Sequence, residues 1–169
     1  MTNKPQVAPQ PLQIPDRETI RQELADTRAQ FHALLSSLTD VGFRGPTATK
    51  WNAGELLMHL ITTYERMPKE ISRARVGKGM WNLPLPVLDG LSYVITRWQA
   101  RGITIEAQRE RYDRAYAAML AMLDTVQDDE WQRGARFFSE GHYTVENLFH
   151  IHPRHFAQYA SQTIGRPRM

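Results

Sequence analysis

Cysteine is absent from all 169 residues, which excludes disulfides, a thiolate nucleophile and any cysteine-ligated zinc site. A metal centre in this chain has only histidine, carboxylate and water to draw on. No apolar run approaches the roughly 18 residues that a membrane span needs, so no membrane partner is expected. The opening MTNKPQVAPQPLQIP has neither a basic n-region nor a hydrophobic core; no export signal is read there, and the expected location is the cytoplasm. Strand-like alternation of apolar and polar residues is missing throughout. Charge of one sign is missing too, because 21 basic residues are interspersed with 18 acidic ones for a net +3. A nucleic-acid reading would rest on Arg97, Arg101, Arg109, Arg111 and Arg114 as phosphate contacts, and so mild an excess does not carry it. Gly77-Lys78-Gly79 lacks the spacing and the Ser or Thr of a phosphate loop. No nucleophile elbow occurs, which leaves Ser139 beside His142 as sequence neighbours in a loop.

What is present is helical periodicity. Residues 1–15, with four prolines, read as a flexible leader, and 16–169 as one domain. Asp16 is an N-cap, and Ile20, Leu24, Phe31, Leu34, Leu35 and Leu38 form the stripe of a first helix, with His32 beside it, ending in a loop over 40–49. Asn52 with Glu55 three residues on is a capping box opening a second long helix, whose apolar side is Leu56, Leu57, Leu60, Tyr64, Met67 and Ile71. His59 lies at the edge of that side. A connection over 75–90, in which Trp81, Leu83 and Leu85 could cover one end of a pocket, leads to a shorter helix around Val87 to Arg101. Thr104 then caps a third long helix. The expected fold class is all-α, a four-helix bundle with a long crossover connection and a short extra helix, in which sites are built from side chains on facing helices.

Four of the six histidines fall in the last stretch, from His142 to Gln162, which Thr144 caps and Gly165 and Pro167 end. At 100° per residue, His152, Ile151, Tyr159 and Gln162 lie within about 60° of His155, whereas His150 points roughly 140° away. His152 and His155 therefore share a face, and an imidazole pair one turn apart holds a divalent ion when another helix brings a third ligand. His59 is the candidate from the second long helix. Pro153 removes one hydrogen bond and clashes a turn back, so a kink is expected there, and a bulge could rotate His150 toward the pair. Glu55, one turn before His59, either orients an imidazole, acts as a base, or serves only as the cap.

With TKWNAGELLMHL in the second helix, RVGKG after it, DDEW at Asp128 to Trp131 and the His-x-x-Gln of His155 to Gln158, the sequence resembles the DinB-like (DinB/YfiT) superfamily of bacterial four-helix bundles. The resemblance runs from about Arg17 to Ile164. It implies a divalent metal, zinc or nickel, held by His59 and by two histidines of the last helix, His155 and an earlier one. That earlier ligand usually lies four residues before, where this chain has Ile151; His152 is the substitute, with His150 and His142 as alternatives. The resemblance further implies a hydrolase or a transferase or isomerase using a low-molecular-weight thiol, a small-molecule substrate, and frequent homodimers.

Two readings follow. In the first the protein is a divalent-metal-dependent enzyme with ligands His59, His152 and His155 and Glu55 as the catalytic carboxylate; the ion lowers the pKa of bound water or of a substrate thiol. In the second it is a metal-free bundle with a degenerate site that binds a small molecule or a partner, and Ile151 is the feature favouring it.

Overall fold

The computed structural model describes residues 14–47, 49–79, 85–137 and 141–163, with the side chains of 85–89 and 161–163 outside that description. Four long helices make the bundle: α1 (Arg17–Ser37), α3 (Ala53–Arg75), α5 (Ile105–Thr125) and α7 (Ile151–Thr163). Between them come α2 (Asp40–Arg44), α4 (Leu85–Ala100), α6 (Val145–Phe149) and a two-stranded hairpin of β1 (Gly134–Arg136) and β2 (His142–Thr144).

The helix starts follow from side-chain caps. The Asp16 carboxylate accepts from the Glu18 amide, Asn52 and Glu55 form the full capping box, and Thr104 and Thr144 accept from the amides of Ala107 and Asn147. Each supplies a partner to an amide that an open helix end leaves unsatisfied. One stretch expected as loop is a turn of helix instead. Thr39 caps α2, and the turn exists because it delivers Phe43 into the core, flat against Gly54 of α3, where an added Cβ would meet the ring at 2.8 Å.

Helix α3 is the centre of the molecule. It packs against α4, α5, α6 and α7, while α1 closes the other side against α5 and α7. Its inward residues Leu57, Leu60, Ile61, Tyr64, Met67 and Ile71 are buried and meet Phe31 of α1, Tyr112 of α5 and Phe156 of α7 in one core. Phe31 stacks on Tyr112 at 3.9 Å between ring centroids. Trp131, fully buried, packs against Phe149 of α6 with the Arg17 guanidinium over its ring.

The hairpin departs from the expectation of no strand. Its register pairs Gly134 with Thr144, Ala135 with Tyr143 and Arg136 with His142, and strands of three residues are too short for alternation to register. A Cβ on Gly134 would lie 2.3 Å from the Tyr143 carbonyl oxygen, so the close approach of the strands requires glycine there.

The last helix is broken where Pro153 demands it. Pro153 has no amide proton and its ring collides with the carbonyl four residues back, at Phe149; α6 ends at Phe149, His150 makes a turn, and α7 starts at Ile151. At the break, His150 Nδ1 hydrogen-bonds to the Glu23 carboxylate of α1. His150 thus joins the end of α6 to α1.

Among the described residues no helix is long and apolar enough to cross a membrane. Four of the five arginines named as possible phosphate contacts stand beside carboxylates: Arg97 by Glu55, Arg109 by Glu106, Arg111 by Glu65 and Arg114 by Glu110.

Candidate functional site

Eight residues separate Trp51 from His59, about two helical turns, so the ring ahead of the α3 cap lies along the same side of the helix as the imidazole. The two meet edge to face at 4.5 Å. From α7 the ring of His155 approaches His59 with centroids 5.3 Å apart and planes at 79°, and Tyr159 sits one turn further at 4.8 Å from His155 and 6.2 Å from His59. Helix α4 supplies the third wall. Ser92 Oγ lies 3.3 Å from His59 Nδ1, and Tyr93 stands 6.2 Å from Trp51. Three helices therefore converge on one aromatic cluster with two imidazoles at its centre.

Burial, then the nearby His155 and Lys50, push the pKa of His59 down to about 4. The ring is neutral at pH 7. A neutral imidazole so hard to protonate is a weak base toward a thiol, but its lone pair is free to act as a ligand.

His152, expected to share this duty, faces the core. It is fully buried, stacked on Tyr64 with centroids 3.7 Å apart and planes at 10°, and its Nε2 lies 2.9 Å from the Tyr112 hydroxyl. Burial pushes the Tyr112 pKa far up, so the phenol keeps its proton and donates to Nε2, which puts the histidine proton on Nδ1. No hydrogen-bond partner for Nδ1 occurs among the described residues. Burial and His155 hold this histidine down to about 3.

Glu55 has both carboxylate oxygens engaged. Oε2 accepts from the Asn52 amide at 3.0 Å and Oε1 from Arg97 Nε at 3.1 Å, so the residue closes the α3 cap and ties it to α4. The remaining histidines stand elsewhere: His32 bridges Asp113 and Arg109 between α1 and α5, and His142 is exposed on β2. Trp81 and Leu83, expected as a cover for the pocket, and the Leu85 and Gln162 side chains fall outside the described residues.

Whether the residues suit a divalent ion turns on the donor set. No group of three His, Asp or Glu side chains placed to hold one occurs among the described residues. Two imidazoles sharing a tetrahedral ion at Zn–N distances of about 2.0–2.1 Å have ring centroids roughly 5 Å apart, and the His59–His155 separation of 5.3 Å matches that. Two imidazoles, with no third His, Asp or Glu beside them among the described residues, are what the chain offers an ion here.

Residues 24–141 match the mycothiol maleylpyruvate isomerase N-terminal domain, well over half of the chain. The chain belongs to that family. The family is part of the DinB/YfiT-like superfamily, as the second-helix and DDEW motifs suggested. The matched stretch contains Lys50, Glu55 and His59 and stops before the last helix, so His152 and His155 are placed by the fold. A solved structure of the mycothiol-dependent maleylpyruvate isomerase resembles this chain with a TM-score of 0.70 at 11% identity, covering 89% of this chain and 62% of that one. A histidine-to-alanine mutant of the same isomerase resembles it equally, with a TM-score of 0.70 at 11% identity, covering 90% and 62%. At that identity the likeness is one of fold, and this chain spans about three-fifths of the length of those structures. No curated protein matches.

Sequence reasoning passed over Ser92 and Tyr93. Tyr112 lies on the periodic apolar side of α5, yet its hydrogen bond to His152 has no local signal, because it depends on which helix faces which.

Proposed function

We propose that this is a domain of the thiol-dependent transferase or isomerase type, binding a low-molecular-weight thiol and a small acceptor at the aromatic cluster between α3, α4 and α7. In this reading His59 and His155 hold a divalent ion, zinc or nickel. The observation that carries it is the meeting of these two imidazoles from distant segments at 5.3 Å, with His59 kept neutral. When bound, the ion supplies acidity that makes a thiolate available at neutral pH.

The chain's own residues do the rest. Ser92 faces His59 Nδ1 and leaves Nε2 as the ligating nitrogen, the way outer contacts orient metal-bound imidazoles. Trp51, Tyr93 and Tyr159 wall the cluster against water. Glu55 acts as a positioning residue that holds α4 against the start of α3. His152 becomes a third ligand only if its ring leaves Tyr112, and it otherwise supports α7 from the core side.

The test is bound metal measured on purified protein, with thermal shifts on adding Zn²⁺ or Ni²⁺. Wild type should carry one ion per chain; His59→Ala and His155→Ala should lose it, and His152→Leu should keep it. No metal and no thermal shift in wild type would overturn the reading. A second reading, a metal-free bundle that binds a small molecule, draws on the absence of a three-ligand group among the described residues. It predicts that His59→Ala and His155→Ala bind the thiol as wild type does.

A further inference from the structure

A helix lying on the outside of a bundle turns its apolar side inward and its polar side to water, and α4 does the reverse. Its inward residues are Ser92, Tyr93, Thr96 and Gln99. Ser92 faces His59, Tyr93 faces Trp51, Thr96 is buried, and Gln99 Oε1 accepts from the Thr62 hydroxyl at 2.7 Å. Its outward residues are Leu91, Val94, Ile95 and Trp98, with 51%, 64%, 38% and 70% of their surface exposed. At 100° per residue these four lie within about 60° of Leu91, and the inward four stand between about 80° and 200° from it. The exposed Ile14, Val41 and Val76 are scattered before α1, on α2 and after α3, and single apolar side chains of that kind need no explanation. A continuous stripe on one helix does.

The spacing i, i+3, i+4, i+7 is the seam that one helix offers to another, here about 10 Å long. Four side chains at these exposures present on the order of 400 Å² of apolar surface. A standard interface takes about 800 Å² from each partner, a little over half of it apolar, or roughly 450 Å². The stripe therefore supplies nearly the whole apolar share of one half of a dimer face, with the exposed Arg97 and Arg101 along its edge as polar rim.

The stripe is also complementary to itself in size. Its bulkiest residue, Trp98, stands at one end, and the exposed Gly90 stands beside Leu91 at the other. Two copies of α4 laid antiparallel set each Trp98 over Gly90 and Leu91 of the other copy, with Val94 and Ile95 at the two-fold axis. A parallel pairing would set Trp98 on Trp98 and leave a gap between the glycines, and it would align the two helix dipoles unfavourably. Two-fold pairing through one shared patch is the commonest form of assembly.

We propose that the outer face of α4 is the contact between two copies of this chain, paired antiparallel about a two-fold axis. The inference is independent of the thiol-dependent reading, because the imidazole pair lies against the opposite side of the same helix.

Sedimentation equilibrium of the full chain tests the pairing. Wild type should pass from 19.5 kDa to twice that mass, half-dimerised at about 10 µM. Trp98→Ser should weaken the dimer about thirtyfold, as loss of a central aromatic anchor does. Its helical content and its melting temperature as a dilute monomer should match wild type, since the side chain is exposed. The chain has no cysteine of its own, so single cysteines report the orientation under copper–phenanthroline oxidation. Val94→Cys, near the axis, should form a disulfide-linked dimer, and Leu91→Cys, displaced from it, should not. Wild type that stays monomeric up to about 200 µM, equal dimerisation by Trp98→Ser, or cross-linking of Leu91→Cys as readily as Val94→Cys would overturn the proposal. So would a monomer that sediments with phosphatidylglycerol vesicles, which would make the stripe a lipid contact.

Discussion

His152 couples this protein's stability to pH. Its imidazole is sealed between Tyr64 and Tyr112 with a pKa of about 3, and His59 is held at about 4. In the unfolded chain both take up a proton near pH 6.5. The unfolded state therefore binds more protons between pH 6.5 and about 3, and stability falls as pH drops through that window. Above pH 7 neither contributes to the slope. Urea denaturation across pH should show a loss of a few kcal/mol by pH 4 from His152 alone, and His152→Leu should flatten that slope; an unchanged slope would show that the acid sensitivity lies elsewhere. Tyr112→Phe leaves a buried Nε2 with no donor, for a loss of about 1–3 kcal/mol at neutral pH. Metal content of that variant should not change, because the tyrosine supports His152 and not the pair of His59 and His155.

Among the elements, the start of α3 is the joint on which the site depends. The capping box of Asn52 and Glu55 fixes where the helix begins, and the same Glu55 carboxylate holds Arg97 of α4. Asn52→Ala should cost about 1 kcal/mol, read as a melting temperature lower by roughly 2–4 °C. Glu55→Ala loses both the cap and the tether, so its effect and that of Arg97→Ala should sum to more than the double variant shows. The cap was legible in the sequence because it is local: Asn, then Glu three residues on. The tether was not, since it joins residues 42 positions apart. Pro153 shows the same division. A break near it follows from its ring, whereas the hydrogen bond of His150 to Glu23 follows only from where α1 lies.

For the whole molecule the sharpest consequence of the proposed site is linkage. An ion bound only by the folded state at about one hundred times its dissociation constant stabilises by roughly 2.7 kcal/mol. For a chain of this size that corresponds to a melting temperature higher by roughly 5–10 °C, seen with Zn²⁺ or Ni²⁺, abolished in His155→Ala, and independent of Mg²⁺, which prefers oxygen ligands.

Periodicity, caps and the absence of strand alternation determined by themselves that this chain is a helical bundle, and short motifs in order pointed to its superfamily. Both are local properties, set by neighbours within one or two turns. His59 and His155 could be singled out by residue type and helix face. That they meet, and that His152 serves the core with Tyr112, were decided only by the packing of α3, α5 and α7. The reason is that contact between residues tens of positions apart depends on helix crossing and burial, which no local stretch of sequence encodes.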